Sequence, residues 1–552
     1  MADPQLTSLA AEYWEAHLRH SPTTGHLLGR TEFAGRFERA SREAEDRRTA
    51  ELRDLGSRIE RVDESGLDHQ DRLTREVLLS DARRTVDLTE ARLAEFKVDS
   101  VSGLQAMLGV YAGMWGIPDA DVAAAMVDKV AAMGTYFTEL AERQREGLRS
   151  GRVAPAFAVR DTVAQIDELL ATPAADNPAI ARLAVPEGVD EAAWRADLAG
   201  AVADHLLPGL GAYASVLRDE VLPAARPDDR VGLGSVPGGD EAYRAALRYY
   251  TTTDLDAEQI HRLGLDTVAA LADEYRALGP EVVGTDDLAE IFRLLREDPA
   301  LHHTEAEALV RESEAAMARA WAAMPEWFET LPEAPCAVVG VPSGPKGFYF
   351  PPAPDGSRGG TFFLNTSDPS SWGTFELEAV AFHEGIPGHH LQLTIASELP
   401  PEVPDVRRHL TPSAYAEGWG LYTERLADEM GLYSSPLARM GMLATDSMRA
   451  CRLVVDTGLH ALGWSRDRAV QYVLDNSPLA AGVVRPEVDR YALSPGQATS
   501  YMVGRVEIVR MRREAEERLG EAFDVRRFHT AVLGQGALPL DVLDREVAAA
   551  LS

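Results

Sequence analysis

Apolar residues recur at intervals of three and four along most of the chain, and Glu, Arg and Asp fill the positions between them. The clearest runs are RLTREVLLSDARRTVDLTEARLAEF, residues 72–96, and DVAAAMVDKVAAMGTYFTELAERQREGLRSG, residues 121–151. This period places apolar side chains on one face of a helix, and the glycine at 151 is a typical helix stop. The pattern predicts a mainly α protein whose N-terminal part is a bundle of helices with solvated charged faces.

A different pattern occupies residues 336–366, where β-branched and aromatic residues stand between Pro and Gly turns. The segments CAVVGV, GFYF and TFFLN predict three short strands, which form a small β-sheet. This sheet comes directly before a histidine-rich stretch, and an edge strand there could bind an extended peptide by adding it to the sheet. A hairpin without a functional role is equally consistent with the pattern.

Pro, Gly and Asp cluster in RPDDRVGLGSVPGGDEAY, residues 226–243. Such clusters separate structured segments, so we place a boundary there. The N-terminal helical part is predicted over residues 1–230 and a second part over residues 240–552. The glycines do not indicate a phosphate loop, because no Gly-Lys-Ser or Gly-Lys-Thr follows them.

The charge of the chain excludes two classes of partner. With 55 Lys and Arg against 88 Asp and Glu, the formal charge is −33. This charge repels phosphate backbones and anionic membrane surfaces, so we expect neither nucleic acid nor membrane as a partner. Charged residues stand among the apolar ones from the first residues onward, which is not the pattern of a signal peptide. The sequence contains no run of about 18 apolar residues, so no membrane span is predicted. Two cysteines far apart in sequence give no disulfide framework. These observations predict a cytoplasmic location and leave the oligomeric state open.

The segment HEGIPGHH, residues 383–390, is similar to a zinc-binding motif with a longer spacing. In the short motif His-Glu-x-x-His, the two histidines face one metal and the Glu lies beside the metal's water. Here Pro387 is the fourth residue after His383, and the next histidines are His389 and His390. A regular helix would turn His389 away from the face of His383. It would keep His390 on that face but about 10 Å away along the axis, too far for one zinc.

Pro387 and Gly388 make the longer spacing compatible with a metal. Proline lacks an N–H and clashes with the preceding turn, and glycine accepts unusual dihedrals, so two residues could loop out of the helix. His389 would then return to the position of the second histidine, with His390 as the alternative. This reasoning predicts a metal site at His383 and His389 with Glu384 next to it. An ordinary helix rich in histidine is the competing interpretation.

A third ligand is needed, because a catalytic zinc typically takes three protein ligands and leaves one position for water. Glu417 is the best candidate, since it comes 33 residues after Glu384 and the chain can turn and run back over that length. Glu424 lies on the same helical face as Glu417 and could orient a ligand histidine, with an exposed charge as the alternative. Asp405 and His409 in the connecting loop are competing ligands.

Motifs along the whole chain resemble the bacterial family known as domain of unknown function 885. They are HSPTTGHLLGR, YFPPAPDGSRGGTFFLNT, HEGIPGHHLQ, AEGWGLYTE, LVVDTGLHALGWSRDRA and RYALSPGQATSYMVGR. The resemblance implies that both predicted parts belong to one family-wide domain with a large, helical, zincin-like fold. It places the chain near zinc peptidases with a His-Glu…His…Glu ligand set. The EGWG segment is similar to the third-ligand setting of angiotensin-converting-enzyme-like dipeptidases, and dipeptidyl peptidase III has a similarly lengthened histidine motif.

The resemblance also implies roles for individual residues. His383, His389 and Glu417 would bind one Zn²⁺ per chain, and Glu384 would act as the base. Manganese, cobalt or iron are also compatible with such ligands. Related helical zinc peptidases use Tyr or His near the C-terminal end of the domain to stabilise the oxyanion. Here the candidates are Tyr501, Tyr491 and His460, with Tyr501 the first choice. Packing is the alternative role for Tyr501, and a satisfied core histidine is the alternative for His460.

Other polar residues near these motifs are candidates for binding the substrate. Arg452, Arg490 and Arg505 could hold a substrate carboxylate through their guanidinium groups, although each could equally form an internal ion pair. Tyr491 is a further candidate for binding the substrate, and Gln497 could hydrogen-bond the substrate backbone.

The sequence as a whole predicts a zinc-dependent hydrolase that cleaves amide bonds in short peptides or a peptide-like metabolite. One alternative is a zinc hydrolase of a non-peptide amide or an ester in small-molecule metabolism. A second is a non-catalytic helical binding protein, for which a metal site closed by a fourth protein ligand would be typical.

Overall fold

Helices make up most of the protein, which confirms the predicted fold class. The computed structural model describes residues 3–342, 344–352 and 358–552. The helices before residue 230 are α1 Pro4–His20, α2 Pro22–Leu27, α3 Arg42–Glu60, α4 His69–Glu90, α5 Leu104–Ala112, α6 Ala120–Ser150, α7 Ala156–Ala171, α8 Pro178–Ala181, α9 Glu191–Ala201 and α10 Leu207–Ser215. Those after it are α11 Gly239–Thr251, α12 Ala257–Val282, α13 Leu288–Glu297, α14 Ala306–Trp327, α15 Leu377–Glu384, α16 His389–Ser397, α17 Asp405–His409, α18 Ser413–Glu429, α19 Pro436–His460, α20 Arg466–Asn476, α21 Ala481–Leu493, α22 Ser500–Leu519, α23 Val525–Leu533 and α24 Leu540–Ala550.

The two amphipathic runs identified in the sequence correspond to α4 and α6. The side chain of Asp119 accepts a hydrogen bond from the N–H of Val122 and caps the start of α6. Gly151 ends this helix with a left-handed φ of 72°, a conformation that glycine adopts without strain. Helix α4 is shorter than its run, because Arg92 turns the chain with a φ of 53°.

The predicted small sheet is also confirmed. Its strands are β1 Cys336–Val341, β2 Gly347–Phe350 and β3 Gly360–Asn365, in the order β1–β3–β2. Strand β3 pairs in parallel with β1 and antiparallel with β2. Of the turns between the predicted strands, Ser343 and residues 353–357 lie outside the described residues.

The sheet lies directly beside α16. A Cβ atom added to Gly360 on β3 would come within 2.4 Å of both the His390 Nδ1 atom and the Tyr349 hydroxyl. Glycine is therefore required where β3 passes the first turn of α16. Phe362 and Leu364 on the same strand are fully buried in the core.

Two large apolar cores organise the chain, and α19 belongs to both. Leu453 lies in the core that contains the histidine-rich helices and the sheet. Cys451 and Val454 of the same helix lie in the second core, together with residues of the N-terminal helices such as Phe137 and Leu210. Segments on both sides of the boundary near residue 230 thus share a core, and the boundary itself stays a prediction. Within the described residues, no helix combines the length and apolar character needed to cross a membrane.

Candidate metal centre

The helix of the histidine-rich segment is interrupted between the two histidine positions. Helix α15 ends at Glu384 and α16 begins at His389, with residues 385–388 forming a bridge between them. A Cβ atom on Gly388 would lie 1.9 Å from the carbonyl oxygen of His383. The bridge can therefore pass so close to the end of α15 only with glycine at this position. The indole N–H of Trp419 on α18 donates to the carbonyl oxygen of Pro387 at 3.0 Å and holds the bridge against that helix.

The break brings His383 and His389 together across from Glu417. The Nε2 atoms of both histidines lie 3.5 Å from Oε2 of Glu417. Their ring centroids are 4.8 Å apart, and the rings stand at 83° to each other. One ligand atom from each of the three residues lies within 4.8 Å of the other two. This group could hold a metal ion.

Glu424 fixes the orientation of His383 from behind. The Nδ1–H of His383 donates to Oε1 of Glu424 at 2.9 Å, which turns Nε2 toward Glu417. Glu424 is fully buried and also accepts a hydrogen bond from the hydroxyl of Thr445. Gly420 makes room for the ring, since a Cβ atom there would lie 2.5 Å from the His383 Cε1 atom.

His390 faces the sheet and not the group. The hydroxyl of Tyr349 donates to its Nδ1 at 2.8 Å, and its Nε2–H donates to the carbonyl oxygen of Ala334 at 2.9 Å. Burial lowers the pKa of His390 to about 4, although the Ala334 carbonyl opposes this effect. The imidazole is therefore neutral, and both of its nitrogens are engaged. Of the two alternatives for the second histidine, His389 is the one that lies beside Glu417.

Charges in the group stabilise one another. Burial lowers the pKa of His383, but the carboxylates of Glu417 and Glu424 outweigh this effect and raise it to about 9. Burial raises the pKa of Glu417, yet hydrogen bonds and charge from His383 and His389 hold it well below its usual range. Glu417 is therefore ionised, as a carboxylate ligand must be.

The competing ligands Asp405 and His409 lie on α17, outside this group. The ring of His409 stacks on Trp14 with centroids 5.8 Å apart. Asp405 is largely exposed and lies 4.0 Å from the guanidinium of Arg408.

Glu384 and Tyr501 interact electrostatically with the group: the charge of Glu384 acts on His383, and that of Glu417 acts on Tyr501. Glu384 is the last residue of α15 and is partly exposed. Tyr501 lies on α22, which packs closely on α18, because a Cβ atom on Gly418 would come within 2.4 Å of the Gly504 backbone. Burial and the negative charge of Glu417 raise the pKa of Tyr501, with Arg452 opposing. The hydroxyl of Tyr501 therefore stays protonated at neutral pH and can donate a hydrogen bond.

His460 has no ring nitrogen free for a substrate. It is fully buried at the end of α19. Its Nδ1 accepts from the N–H of Leu233 at 3.1 Å, and its Nε2–H donates to the carbonyl oxygen of Tyr491 at 3.0 Å. Burial lowers its pKa to about 4. This is the geometry of a satisfied core histidine, and a catalytic role for His460 has no support from it.

The predicted substrate-binding residues have internal partners. The Tyr491 hydroxyl donates to Glu487 at 2.7 Å, and the Gln497 carbonyl accepts from Arg490 at 2.6 Å. Arg505 donates to the buried carboxylate of Asp446 at 2.6 Å. Tyr491 and Gln497 therefore both contact the charged residues Glu487 and Arg490. Arg505 belongs to a separate ion pair with Asp446.

Three residues around the site were not identified from the sequence: Tyr349, Thr445 and Glu487. Tyr349 reaches His390 and Thr445 reaches Glu424 from distant segments, and no local pattern marks them. Glu487 stands four residues before Tyr491 in VRPEVDRY, a helical spacing that places the two on one face and could have suggested their contact.

These observations define a mainly helical protein with a largely buried His-His-Glu group that could hold a metal ion. The chain belongs to the family described as bacterial protein of unknown function (DUF885), whose model matches residues 22–547. The family resemblance read from the motifs is thereby confirmed. No curated protein matches the chain significantly.

Solved structures with the same architecture exist. A candidate lipoprotein from Colwellia psychrerythraea matches with 25% identity and a TM-score of 0.91, over 99% of this chain and 98% of that one. A candidate lipoprotein of unknown function from Shewanella oneidensis matches with 18% identity and a TM-score of 0.76, over 98% and 99%, and this likeness concerns the fold alone. A candidate oligoendopeptidase F from Bacillus anthracis aligns at 12% identity with a TM-score of 0.32, over 100% and 96%, a score too low to support an argument.

Proposed function

We propose that the protein is a zinc-dependent hydrolase that cleaves amide bonds in short peptides or peptide-like metabolites. The observation that carries this proposal is the convergence of His383, His389 and Glu417 with Glu384 directly after the first histidine. A purely structural metal gains nothing from a carboxylate base at that position, whereas a hydrolytic site requires one.

The donor set fits zinc. Two imidazole nitrogens and one carboxylate oxygen are ligands that catalytic zinc takes, with a fourth position left for water or substrate. The hydrogen bond from His383 Nδ1 to Glu424 is the kind of outer contact that orients a ligand histidine and sets its tautomer. The chemistry that zinc supplies in such a site is polarisation of a carbonyl and a lowered pKa of coordinated water.

The remaining roles belong to side chains of this chain. Glu384 would accept the proton of the attacking water and deliver it to the leaving amine. Tyr501 would donate its hydroxyl hydrogen to the oxygen on which negative charge develops, an interaction that contributes several kcal/mol, roughly 3, in a site with little water. The raised pKa of Tyr501 supports this role, because a phenolate could not donate.

Metal content tests the first half of the proposal. Protein purified without chelator or histidine tag is analysed by elemental mass spectrometry as wild type and as His389→Gln, Glu417→Gln and His390→Gln. We expect about one zinc per chain in the wild type, loss in the first two variants and retention in His390→Gln. The last is a matched control, because His390 is the neighbouring buried histidine with both nitrogens bonded elsewhere.

Glu384→Gln tests the second half. This variant is expected to keep its zinc and to lose hydrolysis of a library of short peptides by at least about 100-fold, the usual contribution of a general base. Wild-type protein that stays metal-free after zinc is supplied would favour a binding protein. Zinc without peptide cleavage, together with cleavage of esters or non-peptide amides, would favour the metabolic hydrolase.

The location of the protein is a separate proposal. The absence of a disulfide framework and the acidic composition led us to propose the cytoplasm. Two similar structures belong to candidate lipoproteins, which supports the cell envelope as the alternative. Fractionation of cells that express the complete native gene distinguishes the two.

A further inference from the structure

Two arginines beside Tyr501 share one carboxylate. We call Arg452 on α19 and Arg490 on α21 the arginine pair. The Nη2 atoms of Arg452 and Arg490 donate to Oε2 of Glu487 at 2.9 and 3.0 Å. The Nε atom of Arg490 contacts the other oxygen of Glu487 at 3.3 Å. Two positive charges thus meet one negative charge.

One N–H group of the arginine pair has no hydrogen-bond acceptor among the described residues. Tyr491 accepts from Nε of Arg452 at 3.0 Å and donates to Glu487, so its hydroxyl is satisfied. The Nη1 atom of Arg452 is buried without a hydrogen-bond acceptor, and only 5% of the residue is exposed. An unpaired guanidinium N–H at such a position is costly and indicates that an acceptor is expected there.

The charge of Arg490 also acts on a second carboxyl group, that of Asp456, and lowers its pKa. It is fully buried and accepts hydrogen bonds from the Tyr243 hydroxyl at 2.6 Å and from the Gly496 N–H at 3.0 Å. Burial raises the pKa of Asp456 to about 7, so it is incompletely ionised at neutral pH and does not fully balance the second arginine.

The arginine pair is linked to the candidate metal centre through Tyr501. The Arg452 guanidinium lies 4.5 Å from the centroid of the Tyr501 ring, and Tyr501 lies within the electrostatic reach of Glu417. The side chains of Glu417, Glu487 and Arg490 keep 22, 25 and 19% of their surface exposed. Glu417 of the metal group and Arg490 and Glu487 of the arginine cluster are therefore partly accessible from solvent, whereas Arg452 is buried behind them against the Tyr501 ring.

We propose that the arginine pair is a subsite for a carboxylate of the substrate, so that the preferred substrates carry a free carboxylate close to the amide bond that is cleaved. The proposal rests on the proposed function for the reaction itself. A carboxylate matches the planar N–H groups of guanidinium, and in this strongly acidic chain a surplus of buried positive charge is where an anionic group can be attracted.

Paired peptides test the subsite without requiring turnover. Tri-alanine and its C-terminal amide are titrated calorimetrically into the zinc-supplied Glu384→Gln protein, and their hydrolysis is compared in the wild type. We expect the free acid to bind at least tenfold more tightly than the amide. In Arg452→Gln and in Arg490→Gln the ratio is expected to fall to about one. Each variant leaves a neutral pair with Glu487, so both are expected to fold.

Arg466→Gln is the matched control. The guanidinium of Arg466 also lies over an aromatic ring, 4.6 Å from the Phe157 centroid, and pairs with Asp489 at 2.5 Å instead of with Glu487. In this variant, the ratio of the affinities for the free acid and for the amide is expected to equal that of the wild type. Equal binding of both peptides by the wild type, or a ratio that survives in both arginine-pair variants, overturns the subsite. Tighter binding of the free acid without any hydrolysis would support the subsite and contradict the proposed hydrolase. Hydrolysis with equal binding of acid and amide would support the hydrolase and contradict the subsite.

Discussion

Glu424 is the residue on which the orientation of His383 depends. Its carboxylate is fully buried, and it receives both the Nδ1–H of His383 and the hydroxyl of Thr445. An ionised acceptor in this position raises the basicity of the histidine as a ligand and restricts its ring to one tautomer. The strength of metal binding should therefore depend on a residue that does not touch the metal.

For Glu424→Gln we expect metal affinity to fall by about 10- to 100-fold, because the amide still accepts from Nδ1 but carries no charge. A zinc competition titration measures the change. Glu429→Gln is the control, since Glu429 ends the same helix and pairs on the surface with Arg512. Equal affinities for the two variants would contradict the role of Glu424.

For individual residues, the sequence predicts the three candidate metal ligands but not the residues that surround them. Pro387 and Gly388 stand between the histidines, and this local signal is sufficient to propose His383 and His389. Glu417 follows from its distance in sequence and from the family resemblance. The position of His390 could not be predicted, because its partners Tyr349 and Ala334 lie 41 and 56 residues away in sequence. Long-range hydrogen bonds of this kind leave no periodic pattern.

Helix α18 combines two close approaches within three residues. Gly418 lets α22 pack against its backbone, and Gly420 lets the ring of His383 lie on its surface. One glycine therefore serves the packing of two helices, and the other serves the geometry of the metal group.

Alanine at each glycine should separate these effects. For Gly420→Ala we expect metal affinity to fall at least tenfold, because the added Cβ collides with the His383 ring that Glu424 holds in place. For Gly418→Ala we expect a loss of about 1–3 kcal/mol in the free energy of unfolding, because two backbones must separate. Chemical denaturation and zinc titration on both variants provide the measurements.

Gly482→Ala serves as control, since a Cβ atom there meets nothing within 4 Å. It is expected to keep metal affinity and to be neutral or stabilising by up to about 1 kcal/mol. If Gly418→Ala behaved like Gly482→Ala, the close helix crossing would be wrong.

At the scale of elements, hydrophobic periodicity predicted α4, α6 and the strands, because each obeys a local repeat. The crossing of α18 with α22 has no such signal. It depends on Ala414 and Gly418 in one helix and Gly504 in the other, which are far apart in sequence and meet only in the folded structure.

The whole molecule buries several neutral histidines, and this gives its stability a definite pH dependence. Burial lowers the pKa of His460 to about 4 and that of His529 to about 3, from an ordinary value of 6.5. Between these values and 6.5 the unfolded chain binds protons that the folded chain does not. The stability that these two histidines contribute is therefore complete above pH 6.5 and is lost as the pH falls toward 4.

Urea midpoints measured from pH 7.5 to 4.5 test this dependence. Each histidine is expected to contribute a loss on the order of 3 kcal/mol across the window, so His460→Gln and His529→Gln should flatten the profile even if they lower stability at pH 7.5. Asp456→Asn should act in the opposite sense. Its folded pKa of about 7 is above the ordinary 3.8, so Asp456 favours the folded state at low pH. If the urea midpoints of all three variants changed with pH in parallel with the wild type, these residues would not be the source of the pH dependence.

At the scale of the molecule, composition and periodicity predicted a mainly helical chain with a small sheet. The two cores were not predictable, because the second one joins residues such as Phe137 and Leu210 to Val454 and neighbours more than 200 positions away. Which amphipathic faces meet is decided by packing between distant helices.

Helix α19 belongs to both cores and also carries Arg452. A molecule that binds at the arginine pair contacts α19, and unfolding of this helix would expose both cores. The binding free energy of that molecule would therefore add to the stability of the entire fold. Melting curves recorded against a panel of peptide acids, amides and small carboxylates would then rank ligands before any reaction is known. The helix that organises the architecture thus offers a general assay for the natural substrate.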